Sequence, residues 1–504
     1  MSAVNAAPRE ALDAGRLGAR LETGRQQAGR AGRATLVSVV LPVSTSDPLG
    51  FYARGARLSD VRSFWSSPGA GQVVVGVGEA WTITVDGTGR FADAREGWRD
   101  RCAAMLVQSE TNAPGTGPVL LGGFAFDPLR PSTAPWRGYP AGRLTLPRFV
   151  LTATPDQTWL TINSLVSPGG AGETAERTVE RAQFLLVGPA VDSAPRPVAA
   201  PPRLDDPRPA SEWKELVRSA VARIRGGELE KVVLARACRA RSEARLDPAR
   251  ILGRLRADYP GCFVFAIARG DRCFLGASPE QLVSLRQGMV RTICLAGSGA
   301  RGATVEDDCR LGDELLASAK NRSEHAIVAR GIRDRLAGAG VQLAPSGAPS
   351  LLKLRNIQHL ATPIIGHAPG DLAILDLIAK LHPTPSVGGQ PGDAALRFIR
   401  DHEGLDRGWY AGPVGWLDAW GQGEFAVAIR SALLSGDVAT LFAGCGIVAD
   451  SDPELEYAES CLKLKPMLSA LASAQNGEPA GLPGVTVLPS PPTPSPRRGG
   501  RGRG

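Results

Sequence analysis

The chain has 504 residues, is 43% apolar and carries a formal net charge of +8. That is enough for one large α/β fold or two to three average domains, and no apolar run approaches the roughly 18 residues of a membrane-spanning helix. The excess base sits at the ends: residues 1–33 hold six Arg against three acids, and residues 477–504 hold four Arg against Glu478, which leaves +2 between them. A nucleic-acid binder concentrates base on a folded face, so with the base at the ends composition argues little about partners.

The first 33 residues are rich in Ala, Gly and Arg with weak periodicity and are expected to be disordered. They lack a hydrophobic signal core, so a cytoplasmic location is expected. From Ala34 the pattern turns to strands: "ATLVSVVLPV", then "QVVVGVGEAWTITVDG", a helix around 89–108, and the strand "PVLLGGFAFDP". Its paired glycines suggest that another backbone comes close. "RLTLPRFVLTAT" and "TWLTINSLV" read as paired strands, so 34–185 forms a β-rich half. A Pro-rich connector over 186–210 leads to a second half, 205–472. A helix over 211–226 turns Trp213, Val217, Ala220, Val221 and Ile224 inward.

The strand "KVVLARACRA" follows, then several strands with turns at Gly270-Asp271 and Gln287-Gly288. Helices are expected over 304–319 and 323–338. In the second, Glu324 shares an i+4 row with Val328, Ile332 and Leu336. Further strands are "GWYAGPVGWLDAW", "EFAVAIRSALL" and "VATLFAGCGIV", the last read as running through a glycine turn into a helix from Asp452. From 473 to 504 the Pro/Arg/Gly-rich tail is disordered by composition. It lacks the aromatics that stack on bases, so no nucleic-acid partner is expected. The eight cysteines show no C-x-x-C and no Cys/His ligand spacing, and read as core thiols.

The helix from Asp452 is the most informative stretch. It places Glu456, Glu459 and Lys463 on one face, with Pro453 in the first turn and Asp452 as cap. That face is either an exposed salt-bridge stripe or the wall of a site. Glu324, Glu456 and Glu459 from two helices, with no compensating Arg in sequence, form a candidate Mg²⁺ site or an ordinary ion-pair cluster. Magnesium takes one or two protein carboxylates and completes its shell with water and an anionic substrate. Lys231 at a strand mouth is exposed, or, if buried, a candidate base. Glu280 ends a strand beside a proline. Arg430, read as sharing a strand face with Ala426 and Ala428, has room to reach a carboxylate. The turns "LAGSG" and "AGCG" offer N–H groups to an anion, but no phosphate-loop motif occurs.

The strings "KVVLARA", "FLGASPEQLV", "LAGSGARG", "KNRSEHAIV", "IQHLATPIIG", "LHPTPSVGGQP", "RGWYAGPVGWLDAWGQGEFAVAIRSAL" and "LFAGCGIVADSDPELEYAESCLKLKPML" run in order over about 211–470. They closely resemble the chorismate-utilising enzymes and, within them, the isochorismate synthases. "GGFAFDP" carries the likeness into the first half. The resemblance implies a single large α/β (α+β) fold, two antiparallel β-sheets packed as a core with helices outside. It implies Mg²⁺-dependent isomerisation of chorismate to isochorismate, feeding menaquinone or a siderophore.

By the same resemblance Lys231 is the base that activates water, and Glu280 is the acid that protonates the leaving C4 hydroxyl. Glu324 and Glu459 hold magnesium with Glu456 close by. Tyr410, Arg430, Lys463 and the backbone of Gly297, Ser298 and Gly444 hold substrate carboxylates. Anthranilate-forming relatives lack the lysine that Lys231 supplies, and aminodeoxychorismate-forming ones carry a lysine where this chain has Ala296. Ser386 stands where isochorismate synthases have Ala and salicylate synthases have Thr, which keeps a salicylate synthase as the alternative. Asn321 replaces an acid found in many relatives. The expected assembly is a monomer or weak dimer, with chorismate as the small-molecule partner and no membrane.

Overall fold

The computed structural model describes residues 12–476 apart from 45–46, 70, 131–132, 171, 190–201 and 356. Residues 1–11, the heart of the Pro-rich connector and the tail from 477 thus lie outside the described residues, while 473–476, expected to open the disordered tail, instead end the last helix. Two large sheets form the centre. The first runs, in spatial order, through 203–205, 231–241, 438–447, 431–435, 272–278, 263–269, 62–66, 73–77, 149–153, 158–166, 35–43 and 106–108, with 389–390 added beside 231–241. The second runs through 342–343, 357–367, 289–300, 281–286, 423–427, 413–418, 119–124, 142–146 and 81–85. Among the described residues every pairing is antiparallel except that of 35–43 with 106–108.

Strands from both sides of the connector pair directly. Phe265 lies opposite Trp65 in the first sheet, and Trp416 opposite Leu121 in the second. The two halves therefore make one fold. The strand Phe263–Arg269 shows why its sequence is almost unbroken apolar: all seven residues are buried. Phe265 belongs to one buried cluster with Trp65, Phe124 and Phe425, while Val264 and Ala266 belong to a second with Leu17, Leu255 and Leu464. With both faces covered, a period-2 polar alternation has nowhere to appear.

The paired glycines of 119–124 meet the expectation. A Cβ on Gly122 would lie 2.0 Å from the Arg143 carbonyl oxygen, and one on Gly123 would lie 2.7 Å from that of Pro413. The helix expected over 211–226 spans Ala210–Arg225 and buries Trp213, Val217, Ala220, Val221 and Ile224.

The N-terminal expectation is corrected. Ala14–Ala31 is a helix, capped by Asp13, whose carboxylate accepts from the Gly15 N–H at 2.8 Å, and closed by Gly32 at φ +64°. Leu17, Leu21, Gly24 and Ala28 form its buried row. Half of that row is Gly and Ala, so hydropathy hardly registers it. The helix is placed by close approach to the strand 35–43, where a Cβ on Gly24 would fall 2.4 Å from Val37. At the other end the last helix, Pro453–Asn476, runs to the limit of the described residues.

Candidate active site

Lys231 opens the strand Lys231–Arg241, and its side chain is only 1% exposed. Burying an ammonium requires a partner. Lys231 Nζ donates to Glu324 Oε1 at 2.8 Å. Glu324 comes from the helix Ala319–Gly338, in the same row as buried Val328, Ile332 and Leu336. That row carries one carboxylate because one turn of the helix looks into a cleft while the rest packs on the sheet. Burial pushes the Glu324 carboxyl up, but the adjacent Lys231 charge and hydrogen bond outweigh it and hold it below its usual range.

The last helix contributes the opposite wall. Asp452 caps it, accepting from the N–H groups of Glu454 and Leu455 at 2.9 and 3.0 Å. Glu456, Glu459 and Lys463 face the cleft together, as their spacing predicts. Lys463 Nζ lies 2.6 Å from Glu459 Oε1 and donates to the Gly444 carbonyl at 3.0 Å. Glu456 Oε1 accepts from Ser451 at 2.8 Å and from Lys320 at 3.0 Å. Burial, and then the neighbouring Glu459 charge, push the Glu456 carboxyl upward. The carboxylates thus lack an arginine, as the sequence indicates, but each has its own lysine: Lys231, Lys320 and Lys463. Lys463 is a salt-bridge partner as well as a cleft residue.

Two readings of local backbone are corrected. The stretch "AGCG" is no turn: Val438–Ile447 is one continuous strand, and the chain turns only after it. Its glycines serve close approach. A Cβ on Gly446 would lie 2.5 Å from Glu324 Oε1 and 2.8 Å from Lys231 Cε. One on Gly444 would sit 3.0 Å from the Leu234 carbonyl oxygen and 3.2 Å from the Tyr410 hydroxyl. "LAGSG" likewise belongs to the strand Met289–Ala300, which shifts register between Leu295 and Ser298, with Gly297 at φ +80°. The bulge turns this backbone into the cleft.

Arg430 does not continue a strand face with Ala426 and Ala428. The strand stops at Val427, the Ile429 N–H bonds the Val427 carbonyl at 2.7 Å, and Arg430 sits at φ +51°. A non-glycine residue in this region is uncommon. Here it swings a buried guanidinium into the cleft, where Nη2 lies 3.5 Å from His359 Nε2.

Glu280 is held by its backbone: its N–H bonds Ser278 Oγ at 3.2 Å and its carbonyl accepts from the Val427 N–H at 3.0 Å. Its side chain is nearly enclosed, and Ser386 Oγ donates to Oε1 at 2.5 Å while itself 2.6 Å from Thr384 Oγ1. Burial pushes the carboxyl up to about 7, against the lowering pull of the Ser386 hydrogen bond and of Lys231, Arg430 and Lys463. Burial likewise pushes the Tyr410 hydroxyl up to about 12, and its ring stacks on Phe442 at 5.0 Å.

All twelve residues singled out in the sequence line one cleft of about 820 Å³, counting its open mouth. Sequence reasoning missed three others. His359, inside "IQHLATPIIG", places Nδ1 3.0 Å from Ser298 Oγ, and burial with the nearby Arg430 and Lys463 charges keeps its ring neutral. Arg407 donates to Glu403 and to the carbonyls of Val233 (2.7 Å) and Val387 (3.0 Å), which fixes the strand that carries Lys231. Lys320 is the third. A lone His, Arg or Lys without periodic context gives no sequence signal; only membership of a motif could have drawn attention to them.

A cleft in which Arg430, Lys320 and Lys463 stand beside a buried carboxyl and a buried lysine suits a small anionic substrate. The chain belongs to the chorismate binding enzyme family, whose model matches residues 23–472. It is 38% identical over 449 residues to isochorismate synthase MenF of Bacillus subtilis, covering 87% of this chain and 94% of that one. It is also 38% identical over 447 residues to the salicylate biosynthesis isochorismate synthase of Pseudomonas aeruginosa, covering 89% and 92%. The solved structure of MenF, the menaquinone-specific isochorismate synthase of Escherichia coli, superposes with a TM-score of 0.71 at 27% identity, over 90% of this chain and all of that one.

The carboxylates suit a hard cation chemically. They are oxygen donors from two elements facing one cleft, and the Glu459 charge still pushes the Glu456 carboxyl upward despite the Lys320 and Ser451 bonds. Among the described residues no group of three or more His, Cys, Asp or Glu side chains is close enough to enclose an ion. That suits magnesium, which needs only one or two of them. No helix among the described residues is long and apolar enough to cross a membrane.

Proposed function

We infer that the protein is an isochorismate synthase, converting chorismate to isochorismate by adding water at C2 and losing the C4 hydroxyl. The observation that supports this best is the pairing of buried Lys231 with buried, protonatable Glu280 in one cleft otherwise lined by Arg430, Lys463 and Tyr410. Lys231 takes a proton from the attacking water as the new C2–O bond forms. The ring double bonds shift, and Glu280 gives its proton to the departing hydroxyl, which leaves as water. One proton is taken and one given, so the step balances. A carboxyl that titrates near neutrality is matched to proton donation there, and each such group typically contributes about 10² to 10⁴-fold.

Arg430 and Lys463, with the N–H groups around Gly297 and Ser298, orient the substrate carboxylates, and Tyr410 offers a hydroxyl. Glu324 and Glu459, with Glu456 close by, would hold Mg²⁺, which when bound neutralises a substrate carboxylate. The assay is direct: purified protein, chorismate and Mg²⁺ give isochorismate by chromatography, and Lys231→Ala abolishes it. Full turnover in that variant would sink the role given to Lys231. A salicylate synthase is the second reading, favoured by the Ser386 hydroxyl beside Glu280. Salicylate and pyruvate as the main products would establish it instead.

A further inference from the structure

Three lysines share the cleft with three glutamates, and they are not equivalent. Lys231 is 1% exposed and Lys463 11% exposed, and Lys463 is tied a second time to the Gly444 carbonyl. Neither can leave its carboxylate without stranding a buried charge. Lys320 is 37% exposed, while its partner Glu456 is only 4% exposed. Lys320 can therefore exchange the carboxylate for water.

Its place in the helix Ala319–Gly338 points the same way. It sits in the first turn, where the helix dipole disfavours a cation, so the helix itself does not hold the ammonium in place. It also stands one turn before Glu324 on the same face, close to Glu324 and Glu459 as well as Glu456. Its ammonium thus occupies the ground between the carboxylates of two helices. Ser451 holds Glu456 Oε1 independently at 2.8 Å, so the carboxylate keeps its place when Lys320 withdraws.

We propose that Lys320 is a built-in stand-in for the divalent cation: its ammonium neutralises Glu456 in the metal-free protein, and a metal ion must displace it to bind. This rests on the reading of Glu324 and Glu459, with Glu456 close by, as the metal carboxylates. The consequence is that Lys320 weakens cation binding, the reverse of what a substrate-binding or structural lysine would do.

The test uses Mn²⁺ without substrate, with bound ion counted from the loss of the free-ion electron paramagnetic resonance signal and Mg²⁺ added as competitor. Lys320→Met is expected to bind Mn²⁺ about tenfold more tightly than the wild type, within the 5 to 150-fold range usual for coupling between sites. Lys320→Arg, which keeps the charge, is expected to bind no more tightly than the wild type. Unchanged or weaker binding in Lys320→Met, with a native circular dichroism spectrum, would overturn the proposal while leaving the metal site standing. Absence of Mn²⁺ binding in wild type and variants alike would instead overturn the carboxylate reading, and the proposal with it. Equal tightening in Lys320→Met and Lys320→Arg would assign the effect to the shape of the side chain and refute displacement of charge.

Discussion

Replacing Ser386 by alanine should move the alkaline limb of activity upward. Burial raises the Glu280 carboxyl to about 7, and the Ser386 hydrogen bond is the largest of the influences lowering it. The hydroxyl donates at 2.5 Å to a nearly enclosed carboxylate, and a hydrogen bond to a charged group is worth about 1.5–3 kcal/mol. At about 1.4 kcal/mol per pKa unit that is roughly one to two units. Part is recovered because the same hydroxyl can accept from protonated Glu280, so about one unit is expected. The sign follows from the role. The acid must be protonated, so the wild type loses activity as pH rises through about 7, and Ser386→Ala should keep it to about one unit higher. The measurement is kcat/KM for chorismate from pH 5.5 to 9.5, with isochorismate counted directly. An alkaline limb that stays in place, or moves down, would refute either the hydrogen bond's direction or the assignment of Glu280 as the acid.

Gly446→Ala places a Cβ 2.5 Å from Glu324 Oε1 and 2.8 Å from Lys231 Cε. It should leave the circular dichroism spectrum native but lower kcat roughly a hundredfold, the usual cost of displacing a catalytic group by about 1 Å. Arg430→Ala removes a buried guanidinium from the cleft. A lost charged hydrogen bond should raise KM for chorismate about 10 to 100-fold, measured by initial rates. Glu403→Ala strands Arg407, which is 3% exposed and is otherwise neutralised by that carboxylate. Urea unfolding should show about 3–5 kcal/mol lost, as expected when one partner of a buried pair is removed.

Some of this could be read from the chain alone. The spacing of Glu456, Glu459 and Lys463 fixes one helix face, because 3.6 residues per turn leave no other arrangement. The motif strings fix the family, and the resemblance points to twelve residues that the fold brings to one cleft. The row Glu324, Val328, Ile332, Leu336 likewise follows from helix geometry. Other features arise only when distant segments meet. The helix Ala14–Ala31 is invisible in hydropathy because its buried row is half Gly and Ala, useful only against Val37. The glycines at 444 and 446 look like a turn until a second strand, Tyr410 and the Lys231–Glu324 pair are seen pressing on them. Arg430 looks like the end of a strand, but the chain breaks before it and throws the guanidinium into the cleft. Above all, no sequence rule pairs Lys231 with Glu324 or Lys320 with Glu456 across 93 and 136 residues. Periodicity acts within one element, whereas desolvation and charge pairing act through space, and only the packed sheets and helices decide which charges must answer each other.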